Sequence, residues 1–134
     1  MDNYYDTANR MQKSSKILFD NHDFHNSCYL AGYVIESYLK IMCFNLSNTR
    51  PPLTHNLNNL NSSALNYLAS GNSSLVNHFT NNTFPNIISN WDPFAKRYSE
   101  KSSEWSSQNA KDFQNEIVKA MQVLTIVKNN ITLI

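Results

Sequence analysis

The chain has 134 residues, of which 41% are hydrophobic, and its formal net charge is +1. This length fits one domain with a buried core, and the near-neutral charge excludes a general attraction to nucleic acid or membrane surfaces. Any anionic ligand must therefore be held by a local cluster. The 2 glycines and 4 prolines favour a few long helices over a many-turned sandwich or barrel. No stretch approaches the roughly 20 apolar residues that span a bilayer.

The first two predicted helices cover residues 2–19 and 23–46. In the first, apolar or small side chains recur at the helical spacings of three and four: Tyr5, Ala8, Met11, Ser15 and Leu18. Asn21 or Asp23 can cap the second helix. Its core stripe lies along one line: Phe24, Cys28, Ala31, Ile35, Leu39, Met42 and Leu46.

The opposite side of the second helix is also apolar, which predicts burial on several sides. We expect this side to form the surface of a homodimer, and its residues are Leu30, Tyr33, Val34, Ile41 and Phe44. Gly32 costs a helix about 1 kcal/mol relative to alanine. Its presence here indicates close approach by a neighbouring helix.

The rest of the chain predicts two further long helical segments. Pro51 and Pro52 end the second helix, and helical spacing resumes after Thr54, a predicted N-cap, until Gly71. Residues 73–91 predict one or two short helices, and residues 107–129 a closing helix. The sequence therefore predicts an all-α, up-and-down bundle of four to five helices in a single domain over residues 1–134, with an irregular segment around residues 70–106.

The cysteines and histidines predict neither a disulfide nor a metal site. Cys28 and Cys43 lie about 22 Å apart along one predicted helix, too far for a disulfide. Free thiols without a signal-peptide pattern predict a cytoplasmic protein. His22, His25 and Cys28 cannot all point at one zinc ion from a single helical turn. We expect no metal and no other cofactor.

Three motifs and a closing amphipathic helix occur in a distinctive order: "AGYVIESYLK", "LTHNLNNL" and "WDPFAKRY". From residue 8 to about residue 127, the chain resembles the HEPN family (higher eukaryotes and prokaryotes nucleotide-binding). The resemblance implies a helical bundle that is commonly dimeric and usually cytoplasmic. Some members are metal-independent ribonucleases of toxin–antitoxin or phage-defence systems, and others are non-catalytic partners of small nucleotidyltransferases.

Catalytic members of that family carry an arginine, four to six residues, and then a histidine. Arg50 and His55, separated by "PPLT", match this spacing. An imidazole can move the proton of a ribose 2′-OH, and a guanidinium can bind phosphate through two hydrogen bonds. Catalytic members usually have a polar residue after the arginine, whereas Pro51 stands here. In the alternative interpretation, His55 bonds a neighbouring helix from the start of the third helix.

Glu36 and Lys40 form an i,i+4 pair within the apolar second helix. Such a pair is usually a surface feature, but aromatic neighbours predict that this one is partly buried. A buried carboxylate needs a partner, and Arg97, His55 or a second subunit can supply it. We expect a structural pair at a helix or dimer interface, with a ligand-binding site as the alternative.

The only basic cluster in the sequence is formed by Lys96 and Arg97, next to Tyr98. Tyr98 and the nearby Trp91 can stack on a base, so this cluster is a candidate nucleic-acid contact. Its alternative is an ordinary solvated group of charges.

Two functions remain open at this point. The first is a binding or partner module associated with nucleotides or nucleic acid, for example the partner of a nucleotidyltransferase. The second is a metal-independent RNA endonuclease that uses Arg50 and His55. Pro51 favours the first function, and the arginine–histidine spacing favours the second.

Overall fold

A computed structural model describes residues 3–47, 54–70, 84–91 and 106–130. This part of the chain contains five helices and no strand: α1 (Tyr4–Asp20), α2 (Phe24–Ser47), α3 (Leu57–Ser70), α4 (Pro85–Asn90) and α5 (Ser107–Asn130). The predicted all-α helical bundle is confirmed, and the three longest predicted helices end within a few residues of the observed bounds. None of the described helices is both long and apolar enough to cross a membrane.

Helices α1 and α2 form a hairpin whose ends are set by local hydrogen bonds. The Asn3 side chain accepts a bond of 2.8 Å from the Asp6 N–H and caps α1. His22 has a φ of 63°, a left-handed conformation that histidine tolerates better than most residues, and it turns the chain after α1. Of the two residues predicted to cap α2, Asp23 is the cap, because its Oδ1 accepts a hydrogen bond from the Asn26 N–H at 3.3 Å.

Helix α5 packs antiparallel to α1. The Gln114 amide donates to Ser15 Oγ at 2.7 Å and to Ser27 Oγ at 3.1 Å, and all three side chains are buried. Towards the other end of α5, Lys128 Nζ lies 4.3 Å from the ring centre of Tyr5. Position 114 of α5 therefore lies beside position 15 of α1, and position 128 beside position 5, so the two helices run in opposite directions. The buried hydrogen bonds of Gln114 also connect α5 to both α1 and α2.

Helix α2 is the centre of the core. Its predicted stripe is buried at Cys28, Ala31, Ile35, Leu39 and Met42. Val34 and Ile41, on the opposite side, are also 0% exposed within a single chain. The predicted location of a homodimer surface is therefore wrong for these two residues, because the chain's own helices already cover them.

Helix α4 is held at both of its ends. Glu116 on α5 accepts hydrogen bonds of 3.1 Å from the Asn86 and Ile87 N–H groups at the start of α4. Directly after α4, the indole of Trp91 lies against Gly32, where an added Cβ would come within 1.9 Å of Trp91 Cε2. The close approach predicted at Gly32 is confirmed, although the neighbour is an indole ring and not a helix backbone.

Candidate functional site

The candidate site begins with the turn that leads into α3. Asn56, and not Thr54, caps this helix, because Asn56 Oδ1 accepts the Asn59 N–H at 3.1 Å. Thr54 Oγ1 instead accepts the Asn56 N–H at 3.0 Å, a local side-chain bond of the kind that threonine forms in turns. His55 lies between them, outside the helix, so its side chain can extend back towards α2.

His55 reaches the carboxylate of Glu36 on α2. Its Nδ1 is in hydrogen-bond contact with Glu36 Oε1, and Lys40 Nζ lies 3.9 Å from the same oxygen. The Glu36 side chain is 8% exposed and that of Lys40 14% exposed, whereas that of His55 is 45% exposed. A buried carboxylate thus holds one lysine and one imidazole that solvent can reach. Of the three predicted partners of Glu36, the structure brings His55 to it.

The contact with Glu36 gives the two ring nitrogens of His55 different roles. A carboxylate can only accept hydrogen bonds, so the Nδ1 that faces it is the nitrogen that donates. The second ring nitrogen, Nε2, lies on the side of the imidazole away from this contact. Because Glu36 orients the ring through a hydrogen bond, a ligand would meet an imidazole whose rotation is already restricted.

Two aromatic side chains lie beside this group of charges. The Tyr33 ring lies 6.2 Å from the His55 ring, centre to centre, at an interplanar angle of 86°. Lys40 Nζ lies 5.9 Å from the ring centre of Tyr4, which brings the start of α1 to the site. The sequence predicted Tyr33 as an aromatic neighbour of the Glu36–Lys40 pair and as part of a dimer surface, but gave it no role in binding a ligand. Its position three residues before Glu36, on the same side of α2, was the signal available.

Several predicted site residues lie outside the described residues: Arg50, Lys96, Arg97 and Tyr98. The catalytic pairing of Arg50 with His55 and the basic cluster therefore stay predictions. Trp91, predicted to stack on a base beside that cluster, is only 5% exposed. The indole packs instead against Gly32 and the ring of Tyr33. The expectation that Trp91 can stack on a base is therefore wrong.

The candidate site contains an acid–base group, a cation and an aromatic ring. No metal-binding arrangement is found in the part of the chain that the structure describes. Residues 3–47, 54–70, 84–91 and 106–130 contain no group of three His, Cys, Asp or Glu side chains that could hold a metal ion. What these side chains can do is bind an anion, donate a hydrogen bond and transfer a proton.

Comparison with models of protein families gives a match over most of the chain. The family model described as the HEPN domain matches residues 1–129 of this chain. Comparison with the curated proteins and with the solved structures gave no match.

Proposed function

Since the chain belongs to the HEPN family, a family of nucleotide- or RNA-related helical modules, we propose that it is a binding module for a nucleotide, free or within RNA, and that the ligand contacts His55 and Lys40. The observation that carries the proposal is the half-exposed imidazole of His55 held on the buried carboxylate of Glu36.

The charges and rings of the site suit a nucleotide. The Lys40 ammonium and the His55 imidazole lie beside the same carboxylate, and both carry N–H groups that can donate hydrogen bonds to a phosphate although the chain as a whole is nearly neutral. The ring of Tyr33, next to His55, adds an aromatic surface for a base. Because Glu36 already orients the imidazole, less conformational entropy is lost when it binds a ligand.

Calorimetric titration with AMP, ATP, GTP and a short single-stranded RNA tests this proposal. His55→Asn should weaken the binding of at least one of these ligands by about tenfold or more, since it removes a hydrogen bond to a charged group. His22→Asn is the matched control, because the exposed His22 has a left-handed φ that asparagine also tolerates. Absence of binding by the wild-type protein to all four ligands at millimolar concentration would contradict the proposal.

The same contact supports a second function, a metal-independent RNA endonuclease. An imidazole oriented by a carboxylate is the arrangement that general acid–base catalysis uses. In this case His55 transfers the proton and Arg50 binds the phosphate. The substrate's own 2′-OH is then the nucleophile, so the products carry 2′,3′-cyclic phosphate ends and DNA resists cleavage.

An assay of single-stranded RNA cleavage in excess EDTA separates the two functions. If the protein is a nuclease, His55→Ala should lose about 10²–10⁴-fold of the rate. Arg50→Lys should also lose activity, because an ammonium cannot reproduce the planar guanidinium. RNA that binds but stays intact supports the binding module. Cleavage that persists in His55→Ala would exclude His55 as the proton-transferring group.

Partners of this module are a further part of the proposal. The HEPN resemblance supports a homodimer and a partner such as a nucleotidyltransferase or an antitoxin. Light scattering at micromolar concentration should give twice the chain mass, and a monomer mass would contradict the homodimer. A nucleotidyltransferase or antitoxin encoded by the adjacent gene would indicate the partner, which co-purification would then test.

A further inference from the structure

Trp91 is fixed in place by contacts on three sides. Its indole covers Gly32, where even a methyl group would overlap the ring. Its Nε1 donates a hydrogen bond of 3.0 Å to the main-chain oxygen of Tyr29. Its ring also packs against Tyr33, with ring centres 5.0 Å apart at 80°. Because the bond to Tyr29 is made to the main chain of α2, it sets the position of the indole along that helix.

Tyr33 connects this indole to the candidate site. Its ring contacts Trp91 and, at 6.2 Å, the imidazole of His55. Its hydroxyl lies 3.0 Å from the hydroxyl of Tyr29. Both ring pairs have the edge-to-face geometry that aromatic pairs prefer. With neighbours on these sides, the Tyr33 ring has few orientations left, and it limits the space into which the imidazole can turn.

Trp91 and Glu36 restrict His55 in different ways. The Glu36 carboxylate binds Nδ1 and so restricts rotation of the imidazole, but a hydrogen bond at one ring nitrogen does not by itself fix the tilt of the ring plane. The edge-to-face contact with Tyr33 opposes that tilt. Removal of Trp91 would leave the first restraint in place and relax the second.

We infer that Trp91 is a positioning residue for His55 and acts through Tyr33. This inference rests on the proposed function only for its effect on ligand affinity, because the orientation of the imidazole can be measured without a ligand. Trp91 itself is buried, so its effect on a ligand would pass through Tyr33 and His55.

The test uses the full chain and compares Trp91→Leu with Trp91→Phe. The first readout is the set of histidine ring resonances in carbon–proton NMR spectra. In Trp91→Leu the His55 ring resonances should move, while those of His22 and His25, on the α1–α2 hairpin, should stay. Trp91→Phe keeps an aromatic ring beside Tyr33 and should restore much of the wild-type His55 shift. The second readout is the Kd for the best nucleotide ligand, which Trp91→Leu should raise by about two- to tenfold.

Phe84→Leu is the matched control from the same segment. Phe84 is buried and packs on Tyr38, with ring centres 5.0 Å apart, so its loss should lower stability without moving the His55 resonances. Gly32→Ala provides a second route, since it displaces the Trp91 indole and should move the His55 resonances as Trp91→Leu does.

Unchanged His55 resonances in folded Trp91→Leu and Gly32→Ala would overturn the inference. Equal shifts in Phe84→Leu would also overturn it, because the effect would then follow stability alone. If wild-type protein binds no nucleotide, the proposed function fails, whereas the resonances still decide the role of Trp91.

Discussion

The carboxylate of Glu36 contacts Nδ1 of His55, 19 residues further along the chain, and so ties the turn before α3 to the most buried helix of the bundle. A carboxylate with so little exposure is costly unless cations or hydrogen-bond donors satisfy it. Lys40 and His55 do so from different elements, one from the same helix and one from the turn. The contact therefore contributes both to the fold and to the candidate site.

Glu36→Ala should lower the free energy of unfolding by about 2–4 kcal/mol, because it leaves the largely buried Lys40 without its carboxylate. Glu36→Gln should cost less, since it keeps the shape and part of the hydrogen bonding. Urea denaturation measures both. Asp20→Ala is the control, because the Lys16–Asp20 pair has the same i,i+4 spacing but is more than half exposed and should contribute at most about 0.5 kcal/mol. A loss below about 0.5 kcal/mol in Glu36→Ala would show that the buried pair contributes no more to stability than an exposed pair does.

Gly32→Ala should destabilise the protein by about 1–3 kcal/mol, because the new methyl group collides with the Trp91 indole and this cost exceeds the helix-propensity gain of about 1 kcal/mol. In a Trp91→Ala background the collision is absent. There, the same substitution should be neutral or stabilising by up to about 1 kcal/mol. A double-mutant cycle measured by chemical denaturation reports this coupling. Equal effects of Gly32→Ala in both backgrounds would show that the indole does not limit the size of the side chain at position 32.

Glu116 should make stability depend on pH in the mildly acidic range. Burial raises the pKa of its carboxyl, although the Ile87 and Asn86 N–H groups oppose this. A carboxyl whose pKa is higher in the folded than in the unfolded protein adds stability at low pH, and that stability is lost as pH rises from the ordinary glutamate pKa through the folded value. Glu116→Gln keeps an oxygen acceptor for α4 and cannot titrate. It should therefore match the wild-type melting temperature near the ordinary glutamate pKa and equal or exceed it at neutral pH.

Glu116→Ala separates the hydrogen bonds of Glu116 from its charge. It removes the acceptor for the first N–H groups of α4 and should cost about 1–2 kcal/mol, as the loss of a helix cap does. If Glu116→Gln instead melts below wild type by the same amount at every pH, titration of Glu116 makes no contribution.

The two thiols should be unreactive in the folded protein. Neither cysteine forms a disulfide and both are buried, and burial raises the pKa of Cys28 to about 12 and that of Cys43 to about 11. Because the thiolate is the reactive form, Ellman's reagent at about pH 8 should react slowly with the native protein and quickly with both cysteines in urea. Rapid reaction of either thiol without denaturant would contradict the buried positions.

Periodicity by itself determined where the three longest described helices lie, because this signal acts between residues three or four apart. For the same reason the sequence showed that Glu36 lies in an apolar helix and needs a partner, and that something must approach Gly32 closely. Which residue meets each of them depended on tertiary packing. His55 reaches Glu36 from a turn in which Asn56, and not the predicted Thr54, caps the following helix. Trp91 covers Gly32 and donates to the main chain of Tyr29, 62 residues earlier in the sequence. The second apolar side of α2 was predicted to be a dimer surface, because periodicity shows that a side is apolar but not which helix covers it. Only the packed chain decided that its own helices bury Val34 and Ile41, and that Tyr33 lies between Trp91 and His55.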